Sequence, residues 1–514
     1  MTFSGISLQN LISISFALFI LIFIFFIRPN NTWHYIAINE ITLQHKIIIV
    51  FTLLISILVT VLPMPLSPYW NGTYKLWADK QQYARMADAL IEGHLYTDNG
   101  DIDPRLEDME NPYDRDERDK LGVKYNWDEA YYNHHYYVYF GVVPTIILFI
   151  PYKLITGNAL LSYQATQFFA MLTIIGLFYL FYVLCKNFFS KFPFSLYLIL
   201  SSSFSILSIG YSISAPALYC TAIVSAVCFM VWSMNCLLKG AWIENDSNRK
   251  RSLYLVASAF LGALAFGCRP PAALANLIII IISYQVCCDL NHSNLEKKGM
   301  ILKLLLPYFF VGILLMFYNY ARFDNVFEFG QSYQLTVADQ HNYQNFTERF
   351  NIKELFLSLV KNFCDISTFS YSFPYIFFNG VFINYPILFF SIKIFNEVIA
   401  NNLKEKKLYL FSVLLFILPF LITLFEAYWS PFLLERYRLD IYYLLCIVTF
   451  LTLAAWFEFI PQRKRRLLVF VLTILSFAVF AVEFLFFCIP YDGSYTDCFP
   501  EVLAEIYQGL RFGL

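Results

Sequence analysis

Long apolar runs alternate along this chain with short connectors rich in lysine and arginine. Runs such as 10–27 and 47–66 are long enough to cross about 30 Å of hydrocarbon as helices. The pattern predicts about twelve spans, at 10–28, 47–66, 161–185, 193–210, 214–238, 252–267, 271–288, 301–320, 376–397, 408–426, 438–459 and 467–488. Short cytoplasmic loops are enriched in lysine and arginine. That places Arg249-Lys250-Arg251, Lys297-Lys298, Lys404 to Lys407 and Arg463-Lys464-Arg465-Arg466 on the cytoplasmic side, with Lys186 and Lys191. One integral membrane domain then covers 1–514, and its outer face receives the loops 67–139 and 321–375, the 426–438 connector and the tail 489–514. Only Arg28 and Lys46 orient the first span.

One apolar segment breaks the alternation. Residues 140–156 read FGVVPTIILFIPYKLIT, short and interrupted by Pro144 and Pro151. Proline inside a helix removes a hydrogen bond and kinks it. The expectation is a juxtamembrane helix lying in the outer interface, apolar face to lipid. Within the first loop, 77–91 predicts an amphipathic helix with Tyr83, Met86, Ala87, Leu90 and Ile91 on one face, stopped by Gly93. Residues 98–124 are polar and irregular, and no internal repeat stands out.

Composition turns this pattern into a class. Charged residues make up 14% of the 514, against 59% hydrophobic; soluble domains carry about 25% charged. An all-α polytopic membrane protein is the expectation. A net charge of −1 argues against a nucleic-acid partner. The N-terminus lacks a basic segment and a small-residue cleavage site, so the first run reads as a retained span. Most of the eleven cysteines sit singly in apolar runs, as buried thiols do, and none has zinc spacing. Cys488 and Cys498 flank the last extramembrane segment and are spaced to pair on an oxidising side.

The loop 66–139 changes the picture most, because it holds fifteen of the 37 acids and three of the seven histidines. Asp79 has two readings. With Gln82 three residues on it matches a capping box; held just outside the membrane, it is also a carboxylate able to take a proton from a hydroxyl. Asp128-Glu129 and His134-His135 lie among tyrosines, Tyr137 included, a composition suited to polar rings such as sugars or, more plainly, to an interfacial belt. Three patches face the same side: Arg269 in FGCRPP, Arg322, Asp324 and Glu328 within 319–336, and Glu435, Arg436, Arg438 and Asp440 in LERYRLD. Such arginines anchor helices at membrane boundaries, and they are also the usual partners of phosphate.

Together these residues resemble a family. Asp79-x-x-x-Tyr83, then Ala87 and EGHLY, is similar to the first outer loop of GT-C membrane glycosyltransferases, among them protein O-mannosyltransferase and aminoarabinose transferase relatives. YYNHHYYVYFGVVPTIILFIPYKLITG resembles the G-x-YY-x-YFG-x-x-P…P…TG stretch of bacterial members, which lies against the membrane; GCRPP, RFDNVFEFGQSYQLT and ERYRLD are similar as well. The resemblance runs in order along nearly the whole chain. It implies a GT-C-like fold in a bacterial cell membrane, and transfer of a sugar from a polyprenyl-phosphate donor to a glycan, lipid or protein acceptor on the outer face. Asp79 would be the base of a single, inverting displacement. Arg269, Arg436 or Arg438 would hold the departing phosphate, and Asp128, His135 and Glu328 would orient sugar or acceptor, with Glu129, His134, Tyr137 and Glu435 beside them. Lys80 stands where many relatives have a second acid, and His134-His135 replaces a Gly-Lys-like pair. No cofactor is implied firmly, and a divalent cation stays open. The alternatives are a transporter or flippase, whose ionisable groups usually sit at mid-membrane in repeated halves, and a membrane assembly protein.

Overall fold

The computed structural model describes residues 2–3, 6–28, 30–66, 81–98, 102–216, 218–243, 247–289, 294–342, 351–366, 379–430, 433–487 and 500–511. Asp79, Cys488 and Cys498 lie outside them, and with the two cysteines any disulfide between them.

In chain order the main helices are α1 Leu8–Ile27, α2 Leu43–Val61, α3 Gln82–Glu92, α4 Thr145–Thr156, α5 Ser162–Phe188, α6 Phe194–Leu207 and α7 Leu218–Leu238. They continue as α8 Asn248–Cys268, α9 Ala272–Asp289, α10 Asn294–Phe323, α11 Ile352–Cys364, α12 Tyr409–Trp429, α13 Leu439–Phe459, α14 Gln462–Phe487 and α15 Pro500–Leu510. Among the described residues nine are long and apolar enough to cross a membrane: α2, α5, α7 to α10 and α12 to α14. The chain is an all-α polytopic membrane protein.

In lipid the apolar face of a helix gains little by meeting another helix, so close backbone approach and hydrogen bonds do the joining. Helix α8 carries the small residues for this on one side. Ser258 exchanges hydrogen bonds with Ser233 of α7, and Asn276 of α9 donates to the Gly262 carbonyl at 2.9 Å, where a Cβ would collide with it. Helix α13 is buried along almost its whole length and forms the centre of the bundle. At the N-terminal edge, α15 lies along α1, with the Ser13 hydroxyl donating to Gly509 O at 2.7 Å.

Two expected spans take another form. The 193–210 segment is a fourteen-residue helix, α6, buried at every position, followed by a one-turn helix Tyr211–Ser214. The 376–397 segment is a one-turn helix Val381–Asn384 and a 3-10 helix Pro386–Phe395. Pro386 disfavours the α conformation at Tyr385, and a 3-10 helix rises about 2 Å per residue, so ten residues already cover about 20 Å.

The basic connectors gather at one end of the bundle. There the Trp242 indole donates to Lys407 O at 3.2 Å, and Lys406 pairs with Glu458 at 3.2 Å. The starts of α7 and α13 and the ends of α8, α10, α12 and α14 lie at the other end, under the long loop. Helix α3 begins at Gln82, not near Trp77. Its N-cap is Gln81, left-handed at φ 57 and without a side-chain capping bond, so an Asp79–Gln82 capping box is not how this helix starts. It ends at Gly93, as expected, with φ 90. Its buried face rests on α4, where Tyr83 stacks on Phe149 at 5.3 Å and Asp88 pairs with Lys153. Helix α4 opens with a π turn after Pro144 and runs twelve residues, about 18 Å at 1.5 Å per residue, shorter than the hydrocarbon layer.

A candidate active site at the loop-covered end

The site is built around a two-residue hairpin. Strands β1 Ala130–Tyr132 and β2 His135–Tyr137 pair antiparallel, joined by Asn133 and His134 at φ 46 and 62. Positive φ at both positions is the turn whose twist matches paired strands. Leu335 closes the other edge: its N–H donates to Glu129 O and its carbonyl accepts from Asp128 N–H, both at 3.0 Å. Just past the hairpin, Gly141 lies against the end of α8, where a Cβ would collide with the Gly267 and Cys268 carbonyls. The hairpin is thereby held over the helix ends.

That placement buries Asp128, itself left-handed at φ 63. Its Oδ1 accepts from the Tyr139 hydroxyl at 3.2 Å and from Gln334 Nε2 at 2.9 Å; its Oδ2 accepts from the Tyr219 hydroxyl at the start of α7. Burial pushes the Asp128 carboxyl up to about 6, against the opposing pull of Arg436. The Arg436 guanidinium lies over the same Tyr219 ring, 3.9 Å from its centroid, and 5.4 Å from that of Tyr437. Among the described residues it forms no ion pair, and its Nε is buried without a hydrogen-bond partner. Asp128 acts on it through space alone. Tyr219 is thus shared, its hydroxyl by the acid and its ring by the cation.

The other arginines are committed. Arg269, capping α8, reaches Asp440 through Nε at 2.7 Å and Glu426 through Nη2 at 3.3 Å, with its plane 4.8 Å from the Tyr437 ring. Two buried carboxylates share this one cation, which staples the ends of α8, α12 and α13. Arg438 donates to Asn362 Oδ1 at 3.0 Å and to Asn379 O at 2.7 Å, fastening α11 and the 379–380 segment to α13. Arg322 donates to Val138 O at 2.9 Å and holds the strand beyond the hairpin.

The remaining expected residues spread outward. Glu129 is fully buried in an ion pair with Arg85 and accepts from Thr97 Oγ1 at 3.3 Å, which ties α3 to the hairpin. His134 occupies the exposed turn beside Glu107, and His135 pairs with Asp98 at 3.0 Å while stacking on Tyr96 at 4.2 Å. Tyr137 packs edge-on against Phe323 at 5.3 Å. Glu328 folds onto its own turn, accepting from Gly330 N and the Ser332 hydroxyl, each at 2.6 Å. Glu435 lines a cleft with Arg438 and Glu483. The structure therefore brings Asp128, Arg436, Arg269, Arg438 and Glu435 to one place and leaves His134, His135 and Glu328 on the rim. Tyr139, Tyr219 and Gln334 complete the centre without having been singled out by the sequence. Among the described residues no group of three His, Cys, Asp or Glu side chains is arranged to hold a metal ion, and no step is derived through one.

Fold and site together define a polytopic α-helical membrane protein with a buried acid and, beside it, an arginine that forms no ion pair among the described residues. No family model matches the chain, and no curated protein matches it in sequence. Among solved structures, the apo oligosaccharyltransferase of Archaeoglobus fulgidus is similar, with a TM-score of 0.45 and 12% identity over 85% of this chain. The matched region spans 55% of that enzyme's length.

Proposed function

We propose that this protein transfers a sugar from a polyprenyl-phosphate donor to an acceptor hydroxyl at the end of the bundle away from its basic connectors. Basic connectors mark the cytoplasmic side, so this is the outer face. The observation that carries the reading is Arg436, a guanidinium braced by two tyrosine rings beside a buried carboxylate, with donors left over for an anion. Arg436 is half-buried, its Nε is buried without a partner, and a planar fork of donors fits a phosphate. The sequence resemblance to GT-C glycosyltransferases supports the same substrate class. So does the position of the buried charges: Arg269, Glu426, Arg438, Asp440 and Glu483 lie at helix ends, where chemistry on a loop-borne substrate would be served, and not along a path through the bundle.

In this reading Asp79, two residues ahead of Gln81 in sequence, takes the proton of the acceptor hydroxyl. The hydroxyl oxygen bonds to the anomeric carbon as the bond from that carbon to the phosphate oxygen breaks. The electron pair leaves with the lipid phosphate, whose growing charge Arg436 stabilises. Asp128 and its tyrosines orient the acceptor beside that phosphate. Replacing Arg436 tests the phosphate assignment. Arg436→Lys should keep part of the affinity for undecaprenyl phosphate and Arg436→Ala should lose at least tenfold, with the melting temperature unchanged in both. Wild-type affinity in the Ala variant would return Arg436 to the role of a helix anchor.

A further inference from the structure

A second polar cluster lies beside Arg436 and takes no part in the chemistry above. Where α14 ends, Glu483 is buried at 8% exposure, the one charged side chain in the stretch from Leu467 to Phe487. It sits four residues from the helix end and seventeen beyond Arg466, on the same side of the bundle as Arg436. Its Oε1 accepts from the Tyr385 hydroxyl at 2.5 Å, and among the described residues no other donor reaches the carboxylate. Gly210 makes room for it, since a Cβ at that position would collide with both carboxylate oxygens. The carboxyl lines a narrow cleft of about 340 Å³, open solvent at its mouth included, which has interior room for about one water-sized group. Tyr211, Ser214, Glu435, Tyr442 and Phe487 form its walls.

A carboxylate can accept about four hydrogen bonds, and burying one with a single donor is costly. The cleft therefore calls for a ligand that brings hydroxyl donors. Glu435 and Glu483 offer an anion no positive charge, and the Arg438 guanidinium already serves Asn362 and Asn379. Aromatic walls suit the C–H faces of a ring. The interior takes one hydroxyl of that ring while the ring itself stays in the mouth. Tyr211 lines the cleft and also lies within electrostatic range of Arg436. A ring joined directly to a phosphate on Arg436 would reach this mouth.

We propose that the Glu483 cleft is the subsite for the sugar ring of the lipid-linked donor, with Glu483 accepting from a ring hydroxyl. This rests on the reading of Arg436 as the phosphate ligand. The test compares binding of undecaprenyl phosphate with that of a panel of undecaprenyl-phosphate hexoses and pentoses, using purified full-length protein in detergent. The wild type should bind at least one sugar-bearing lipid tenfold or more tighter than the bare lipid. Glu483→Gln should lose that preference and keep the affinity for the bare lipid, because the amide removes an acceptor without touching Arg436. Ser214→Leu adds bulk to the cleft lining and should do the same, which carries the test if the Gln variant does not fold. A wild type that binds bare and sugar-bearing lipids alike, or variants that keep the preference, would overturn the subsite. So would equal competition by phosphatidylethanolamine, which would make the cleft an amine site. A wild type that binds none of these lipids would overturn the phosphate reading itself, a different failure with a different signature.

Discussion

At the scale of single residues, Asp128 is an acid of the candidate site whose chemistry its environment changes. Its carboxyl is raised from 3.8 to about 6, chiefly by burial. A group that binds its proton more tightly when folded contributes stability that is fully present below the unfolded value and is lost as pH rises through the folded one. Stability should therefore fall between about pH 4 and pH 6 by on the order of 3 kcal/mol from this group, read as a lower melting temperature. Asp128→Asn should flatten that slope, and an unchanged slope would show that Asp128 is not the titrating group. Residue type was legible in the sequence here, partnership was not. FGCRPP and LERYRLD advertised three arginines of equal standing, yet Arg269 and Arg438 spend their donors on the fold and Arg436 does not. Tyr219, 91 positions from Asp128, opens an ordinary apolar run, and nothing local marks it as the residue shared by acid and cation.

At the scale of elements, periodicity located the helices well and their ends poorly. The amphipathic face of α3 was readable at Tyr83, Met86 and Ala87, but Ile91, expected on that face, is exposed at 42%, while Gln82, Ala84 and Ala89 are buried. The start of α3 was not readable, because Gln81 takes a left-handed turn that pattern cannot reveal. The 3-10 helix at Pro386–Phe395 is as apolar as a span and differs only in winding, which hydropathy does not report. Helix ends are joined by the Arg269–Glu426–Asp440 cluster, and this makes a separate prediction. Removing one member of a buried ion cluster typically costs about 3–5 kcal/mol, because unpaired charges stay behind. Arg269→Ala should lower the melting temperature sharply, in contrast to Arg436→Ala, which leaves no buried ion pair broken. Equal stability of the two variants in a thermal scan would contradict the division between stapling and free arginines.

At the scale of the whole molecule, the sequence showed a membrane bundle with its basic connectors on one side and its acidic loop on the other. The structure keeps that polarity: Lys406 and Lys407 sit at one end, Asp128 and Arg436 at the other. The side assignment came from charge counting and the site from three-dimensional convergence, so the two support each other independently. The central claim is sugar transfer from a lipid phosphate with Asp79 as base. The most direct measurement is release of free undecaprenyl phosphate from its sugar-bearing form, by wild type and Asp79→Asn reconstituted in liposomes with envelope extract as acceptor. An amide keeps the shape of the side chain and cannot accept the proton, and losing a general base costs roughly a hundred- to ten-thousand-fold in rate. The account predicts release by the wild type, and release at least a hundredfold slower by a variant matched for melting temperature and donor binding. Equal release by both, or none by the wild type, would contradict it.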